Sequence, residues 1–305
     1  MLVYLFKVLA LLPLGFVQAL GAGLGQLAYW GSPGYRRRMH ANILQAGLGR
    51  DVLRAAIGEA GKQSLETAWV WLRSREDLAR KIEWADEAIL KRALAAGPPI
   101  IILTPHLGCF EAVAQGYALR PEARERPMTA LYRVPRKDAL RPLVEGARAQ
   151  DGLVLAPANL AGVRRLMRAL KQRQVLGILP DQVPAEGDGV WAPFFGRSAY
   201  TMVLPSKLAC AAGGDAIVLV LGAERLPRGR GFRIFIEPLR EKLTDSAERN
   251  AAAINRAIEA MVMRFPAQYL WGYNRYKRPA GARRDSTGDA VCGIAPKPAE
   301  GETRR

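Results

Sequence analysis

The stretch Pro99-Ile100-Ile101-Ile102-Leu103-Thr104-Pro105-His106-Leu107-Gly108-Cys109-Phe110-Glu111 sets the fold class of this chain. Its first half is a short apolar run that follows the break Gly97-Pro98-Pro99 and ends before Pro105, which reads as a buried strand. Its second half places a histidine just past the strand and a carboxylate five residues later. Downstream, short apolar runs alternate with helical patterns. Strands are predicted at 100–104, 128–132, 153–156, 175–179, 216–221 and 232–237, the last from Phe232, Ile234 and Ile236 alternating with Arg233, Phe235 and Glu237. Between two of them Asn159 can cap a helix whose apolar face is Leu160, Val163, Leu166, Met167 and Leu170. Another helix starts near Asp245-Ser246-Ala247-Glu248, runs through Ile254, Ile258, Met261, Val262 and Phe265, and stops at Pro266. Strands alternating with helices imply an α/β fold, a largely parallel central sheet flanked by helices. Such sheets place their sites at the carboxyl ends of the strands, where His106 and Asp181 both fall.

The ends of the chain read differently. Residues 36–98 are mainly helical in pattern and carry Trp69, Trp71 and Trp84. Residues 1–30 are apolar apart from Lys7, Gln18 and Gln26, and Arg36-Arg37-Arg38 follows. That pattern predicts a hydrophobic membrane anchor that spans the bilayer or lies in it, with the basic triplet on the cytoplasmic side. The competing reading is an amphipathic helix of the main domain. Residues 31–278 form the main domain, and residues 279–305, rich in Pro, Gly and charge, are expected to be a disordered tail.

The 305 residues carry a net charge of +17 with a pI near 10.3. Such an excess speaks to acidic or anionic partners rather than to fold. It is concentrated in Arg164, Arg165, Arg168, Lys171 and Arg173, on the face opposite the apolar residues of the Asn159-capped helix. This face could dock an anionic partner or be an ordinary solvated surface. No nucleic-acid motif is present, and no G-x-S-x-G elbow supports a hydrolase. The three cysteines, Cys109, Cys210 and Cys292, are far apart, which argues against a disulfide framework or a cysteine-rich metal site. With His40 and His106 as the only histidines, no metal or cofactor is implied. Nothing marks Cys109 as an activated nucleophile.

Four blocks follow in order: His106-x4-Glu111; Leu131-Tyr132-Arg133-Val134-Pro135; Leu179-Pro180-Asp181-Gln182 with Ala192-Pro193-Phe194-Phe195-Gly196-Arg197-Ser198-Ala199-Tyr200-Thr201; and Gln268-Tyr269-Leu270-Trp271-Gly272-Tyr273-Asn274-Arg275-Tyr276-Lys277. The set resembles the bacterial lipid A late acyltransferases, the lauroyl/myristoyl branch of the lysophospholipid acyltransferase superfamily, from the N-terminus to about Pro279. The resemblance implies a bacterial inner-membrane enzyme facing the cytoplasm. Such enzymes move a fatty acyl chain from the acyl carrier protein thioester to a hydroxyl of a lipid A precursor. It implies His106 as the catalytic base and Glu111 as its partner, with Asp181 the second choice. Arg133 matches the family's basic position for a phosphate, with Arg148 and Arg197 as further candidates. Gln182 stands in the Asp-Gln pair, and Phe194, Phe195 and Gly196 would form part of the cleft wall or simply a packed turn. Lys137-Asp138 replaces the small polar pair common after the Tyr-Arg-x-Pro block. The chemistry is self-consistent: a hydroxyl must lose its proton to attack a thioester, and a near-neutral imidazole suits that task. Other acceptors, such as another glycolipid, a lysophospholipid or an aminolipid, remain open. So does a non-enzymatic basic membrane- or nucleic-acid-binding protein, which would leave the four ordered blocks unexplained.

Overall fold

The structure is a computed structural model and describes residues 2–133, 146 and 150–282. Arg148, Lys137, Asp138 and Cys292, with most of the expected tail, lie outside the described residues. A seven-stranded sheet organises the chain. In chain order its strands are β1 (Ile82–Trp84), β2 (Ile100–Leu103), β3 (Met128–Tyr132), β4 (Leu153–Pro157), β5 (Val175–Ile178), β8 (Ile217–Leu226) and β9 (Gly231–Pro238), interrupted by a separate hairpin of β6 (Gly189–Phe194) and β7 (Arg197–Met202). Across the sheet the order is β1-β9-β8-β2-β5-β3-β4. β8, β2, β5, β3 and β4 are mutually parallel, β9 runs antiparallel to β8, and β1 is parallel to β9. The sheet is largely parallel, as the alternation of strands and helices predicts.

Every residue of β2 and β5 is buried, because helices cover both faces. On one face Ile101, Leu103, Leu176 and Ile178 pack with α8 (Leu160–Lys171), α9 (Leu204–Ala211) and α10 (Ala247–Arg264). On the other, Ile100, Ile102 and Val175 pack with α6 (Glu87–Ala96) and α7 (Glu111–Ala118). The caps follow the sequence. Asn159 Oδ1 accepts from Gly162 N–H at 3.1 Å to start α8. Ser246, one residue beyond the expected Asp245, accepts from Arg249 N–H to start α10. The basic face of α8 is solvent-exposed.

The N-terminal segment differs from the expected anchor. It forms α1 (Leu2–Leu11) and α2 (Leu14–Gly31), separated at Pro13, and is followed by α3 (Pro33–Gln45), α4 (Arg50–Leu72) and α5 (Arg75–Ala79). No helix among the described residues is long and apolar enough to cross a membrane, so the spanning reading is set aside. Proline prevents a continuous helix here, and α2 spends one face on the domain. Gly21 and Gly25 lie so close to α4 that a Cβ on Gly25 would sit 2.2 Å from the Ile57 carbonyl oxygen. Gln18 is tolerated in the apolar segment because it faces inward and donates to Glu66 at 3.1 Å. The opposite face of α2 exposes Phe16, Leu20, Leu24, Leu27 and Trp30.

Two elements escape the pattern of strands read from sequence. β1 falls inside the stretch read as helical. It has only three residues, too few for a visible period, and pairs with β9 through Ile82↔Phe232 to Trp84↔Ile234. The β6–β7 hairpin turns at Phe195 and Gly196, both with positive φ (45° and 73°), the signature of a two-residue primed turn.

Candidate active site

His106 and Asp181 meet because their strands are neighbours. β2 and β5 pair in parallel with Leu103 opposite Ile178, and each residue stands three positions beyond that pair. Thr104 N–H extends the ladder to the Ile178 carbonyl at 3.0 Å. The Asp181 carboxylate then takes two bonds from the histidine: Oδ2 accepts the His106 backbone N–H at 2.8 Å and Oδ1 accepts Nδ1–H at 2.7 Å. With the proton on Nδ1, the Nε2 lone pair is the free one. Gln182 Nε2 donates to it at 3.1 Å.

Asp181 is 2% exposed. Burial by itself would raise its carboxyl, but the charge and two hydrogen bonds of His106, with the Arg275 guanidinium behind, hold it below the usual carboxylate range. Arg275 is itself buried, donating to the Tyr200 carbonyl at 2.7 Å and to Thr201 Oγ1 at 2.8 Å. Sequence reasoning gave it no role. Its signal was an arginine inside the aromatic closing block.

The histidine turn is clamped from below. Its carbonyl accepts from Leu270 N–H at 3.1 Å, and Gly108 N–H donates to the Gln268 carbonyl at 2.9 Å. From α4, Gln63 Nε2 donates to the Gly108 carbonyl at 3.1 Å. Gly108 has φ +56°, and a Cβ there would fall 1.9 Å from the Ala223 oxygen, so only glycine fits. The Gln268 amide brackets the Arg225 backbone, accepting its N–H at 2.7 Å and donating to its carbonyl at 3.1 Å. The Arg225 guanidinium ends between Glu59 and Glu66, with Nε 2.7 Å from Glu66 Oε2. Gln63 and this buried charge cluster had no mark in the sequence, because their meaning lies in contacts between distant elements.

Glu111 begins α7, is buried, and accepts from the Trp71 indole at 2.9 Å. It lines the same cleft as His106, while the imidazole Nδ1 is engaged by Asp181. Cys109 is buried beneath the turn. Burial, with Glu66 nearby, pushes its thiol well above the usual cysteine range, which leaves no thiolate for nucleophilic attack.

The cleft holds about 870 Å³ and includes His106, Gln182, Arg133 and Glu111 on its walls. Arg133 is exposed at the end of β3. Phe194, Phe195 and Gly196 are not in the cleft wall. Phe194 is 1% exposed in an aromatic cluster with Phe195, Tyr269 and Tyr276, and the Phe195 N–H donates to Glu259 Oε1 at 2.8 Å. The packed-turn alternative describes this segment. Arg197 lies over the Tyr276 ring, 4.7 Å from its centroid, away from the cleft. Among the described residues no cluster of His, Cys, Asp and Glu is placed to hold a metal ion.

Residues 1–278 match the family described as bacterial lipid A biosynthesis acyltransferase. A lipid A biosynthesis palmitoleoyltransferase of Escherichia coli K12 is 29% identical over 217 residues, 70% of this chain and 67% of that protein. A lipid A biosynthesis lauroyltransferase of the same organism is 25% identical over 281 residues, 88% of each chain. A lipid A biosynthesis acyltransferase of Haemophilus influenzae is 26% identical over 200 residues, 66% of this chain and 60% of that protein. With a match that covers the sheet, the cleft and the histidine turn together, the chain belongs to the bacterial lipid A biosynthesis acyltransferase family and is an acyltransferase.

Proposed function

We propose that this protein transfers a fatty acyl chain from an acyl carrier protein thioester to a hydroxyl of a lipid A precursor, with His106 as general base. The observation that carries the reading is the His106–Asp181 pair, whose Nε2 lone pair faces the cleft. The acceptor hydroxyl takes the position on Nε2 that the Gln182 amide holds. Its proton moves to Nε2 as the oxygen attacks the thioester carbonyl, and Asp181 steadies the imidazolium that forms. Collapse of the tetrahedral intermediate makes the ester and breaks the C–S bond. The imidazolium returns its proton to the departing thiolate. Gln182, displaced from Nε2 but still within reach, and Arg133 at the rim are the donors for charge on the carbonyl oxygen or a phosphate. Glu111 helps to wall the cleft through Trp71.

The protein works on a membrane surface in this reading, the cytoplasmic face of the bacterial inner membrane. Phe16, Leu20, Leu24, Leu27 and Trp30 are exposed along one side of α2. Arg37 and Arg38 are exposed on the helix that follows. That is the pattern of a helix lying in the interface, with basic residues drawn to anionic headgroups at about 1 kcal/mol each.

The test is mass spectrometry of products from the purified protein, acyl carrier proteins bearing decanoyl to palmitoyl chains and a tetra-acylated lipid A precursor, beside His106→Ala. A gain of one acyl chain, reduced at least ~100-fold in the variant, is expected. Acylation by folded His106→Ala at the normal rate would remove the base from the mechanism. Transfer to lysophospholipids but not to the precursor would change the acceptor. Co-sedimentation with anionic vesicles checks the surface, and Leu24→Asp with Leu27→Asp should abolish it.

A further inference from the structure

The cleft divides on either side of His106. One lobe opens toward α8 and α9 and is rimmed by Arg133, Asp188 and Lys207. The other passes between the sheet and α7, where Val113 and Ala114 line it, and its walls are apolar. Strand register explains why this second lobe is hollow. On the α7 face, Ile102, Gly177, Ala130 and Leu155 lie side by side across β2, β5, β3 and β4. One pleat lower the row is Ile100, Val175, Met128 and Leu153. The upper row has a hydrogen and a methyl at its two central positions. The lower row carries full-sized side chains throughout, and Met128 and Leu153 of that row line the cleft. A Cβ on Gly177 would lie 3.0 Å from Met128 Sδ and 3.6 Å from Ala130 Cβ, so the thioether reaches up into the gap left by the two small residues.

We propose that this lobe sets the length of the acyl chain that is transferred, with Gly177 and Ala130 making room for it and Met128 and Leu153 forming the floor at its methyl end. The proposal rests on the acyl-transfer reading above and adds the residues that select the donor. From the lower row to the strand ends at Leu103 and Ile178 is three residues, roughly 10 Å of strand, and His106 stands beyond. The thioester carbonyl at His106 therefore leads its alkyl chain down toward Met128. Each methylene inside an apolar lobe of this kind improves binding about fourfold, while one that meets the floor gains nothing and crowds it.

The full chain is compared as wild type, Met128→Ala and Ala130→Leu, with thermal unfolding as the folding check. One measurement supplies an equimolar mixture of decanoyl to palmitoyl acyl carrier proteins with the lipid A precursor and reads product masses. The other reads by native mass spectrometry which saturated fatty acid, octanoic to palmitic, the protein retains. Met128→Ala should move both profiles at least one two-carbon step longer, about tenfold in the ratio of neighbouring lengths. Ala130→Leu should move them shorter. Unmoved profiles in folded variants would overturn the proposal, as would a flat wild-type profile. If Ala130→Leu does not fold, Met128→Ala decides alone, since it only removes bulk at a flexible side chain. Retained fatty acids that shift as expected, without acylation of the precursor, would support the ruler and reject the lipid A acceptor instead.

Discussion

Asp181→Asn tests the orientation of the base with the least change in shape. The carboxylate accepts both the backbone N–H and the Nδ1–H of His106, at 2.8 and 2.7 Å. An asparagine offers one oxygen and one amino group to those two donors. If its oxygen keeps the backbone N–H, its amino group faces Nδ1, and the imidazole must shift its proton to Nε2. Nε2–H cannot accept a proton from a hydroxyl. If the oxygen takes Nδ1–H instead, the backbone N–H is left without its partner at a site where the side chain is 2% exposed. Either way a charge-assisted hydrogen bond is lost, about 1.5–3 kcal/mol of stability. The rate should fall about 10²–10⁴-fold, the range for losing a general base. KM should stay near the wild-type value because Asp181 is not among the cleft-lining residues. The assay is initial-rate acylation followed by mass spectrometry, run in parallel on Glu111→Gln. A glutamine oxygen can still accept the Trp71 indole, so that variant should lose no more than about tenfold, one ordinary hydrogen bond's worth. The reversed order, with Asp181→Asn near wild type and Glu111→Gln crippled, would refute Asp181 as the group that holds the base.

Three other outcomes follow from the same geometry. Gly108→Ala should prevent stable folding or lower the melting temperature sharply, because its Cβ would collide with the Ala223 oxygen at 1.9 Å; an unchanged melt would contradict the left-handed turn. Arg225→Met leaves Glu59 and Glu66 facing each other without their cation and should cost about 3–5 kcal/mol in denaturant unfolding, with part of the loss recovered by adding Glu66→Met. The depressed Asp181 carboxyl contributes stability that is fully present above its ordinary value, roughly pH 4, and is lost as pH falls through the lower folded value. Urea titrations of wild type and Asp181→Asn should therefore differ at neutral pH and converge in acid; a gap that stayed constant to the lowest pH would deny the linkage.

The parts of this molecule that were legible in the sequence are those whose cause is local. β2 and β5 read correctly because strands covered on both faces are continuous apolar runs, and the Asn159 cap and Pro266 stop act within a turn of where they stand. The sequence also carried His106, Gln182 and Arg133 to the strand ends where the cleft opens. What it could not carry was which strand lies beside which. His106 and Glu111 are five residues apart, His106 and Asp181 seventy-five, yet the parallel pairing of β2 with β5 brings the distant carboxylate to Nδ1. The same limit explains the N-terminus. Hydropathy reports that residues 1–30 are apolar but not that Gly21 and Gly25 are shaped to receive α4, and this contact turns an expected span into a helix with one buried and one exposed face. Gly177 is the clearest case. In sequence it is a weak position inside a strand, where a glycine packs nothing. Beside Ala130 on one flank and Ile102 on the other, the missing side chain becomes space next to the catalytic histidine. A residue that lowers the strand's own stability is therefore retained at a cost that the proposed acyl lobe accounts for and the strand alone does not.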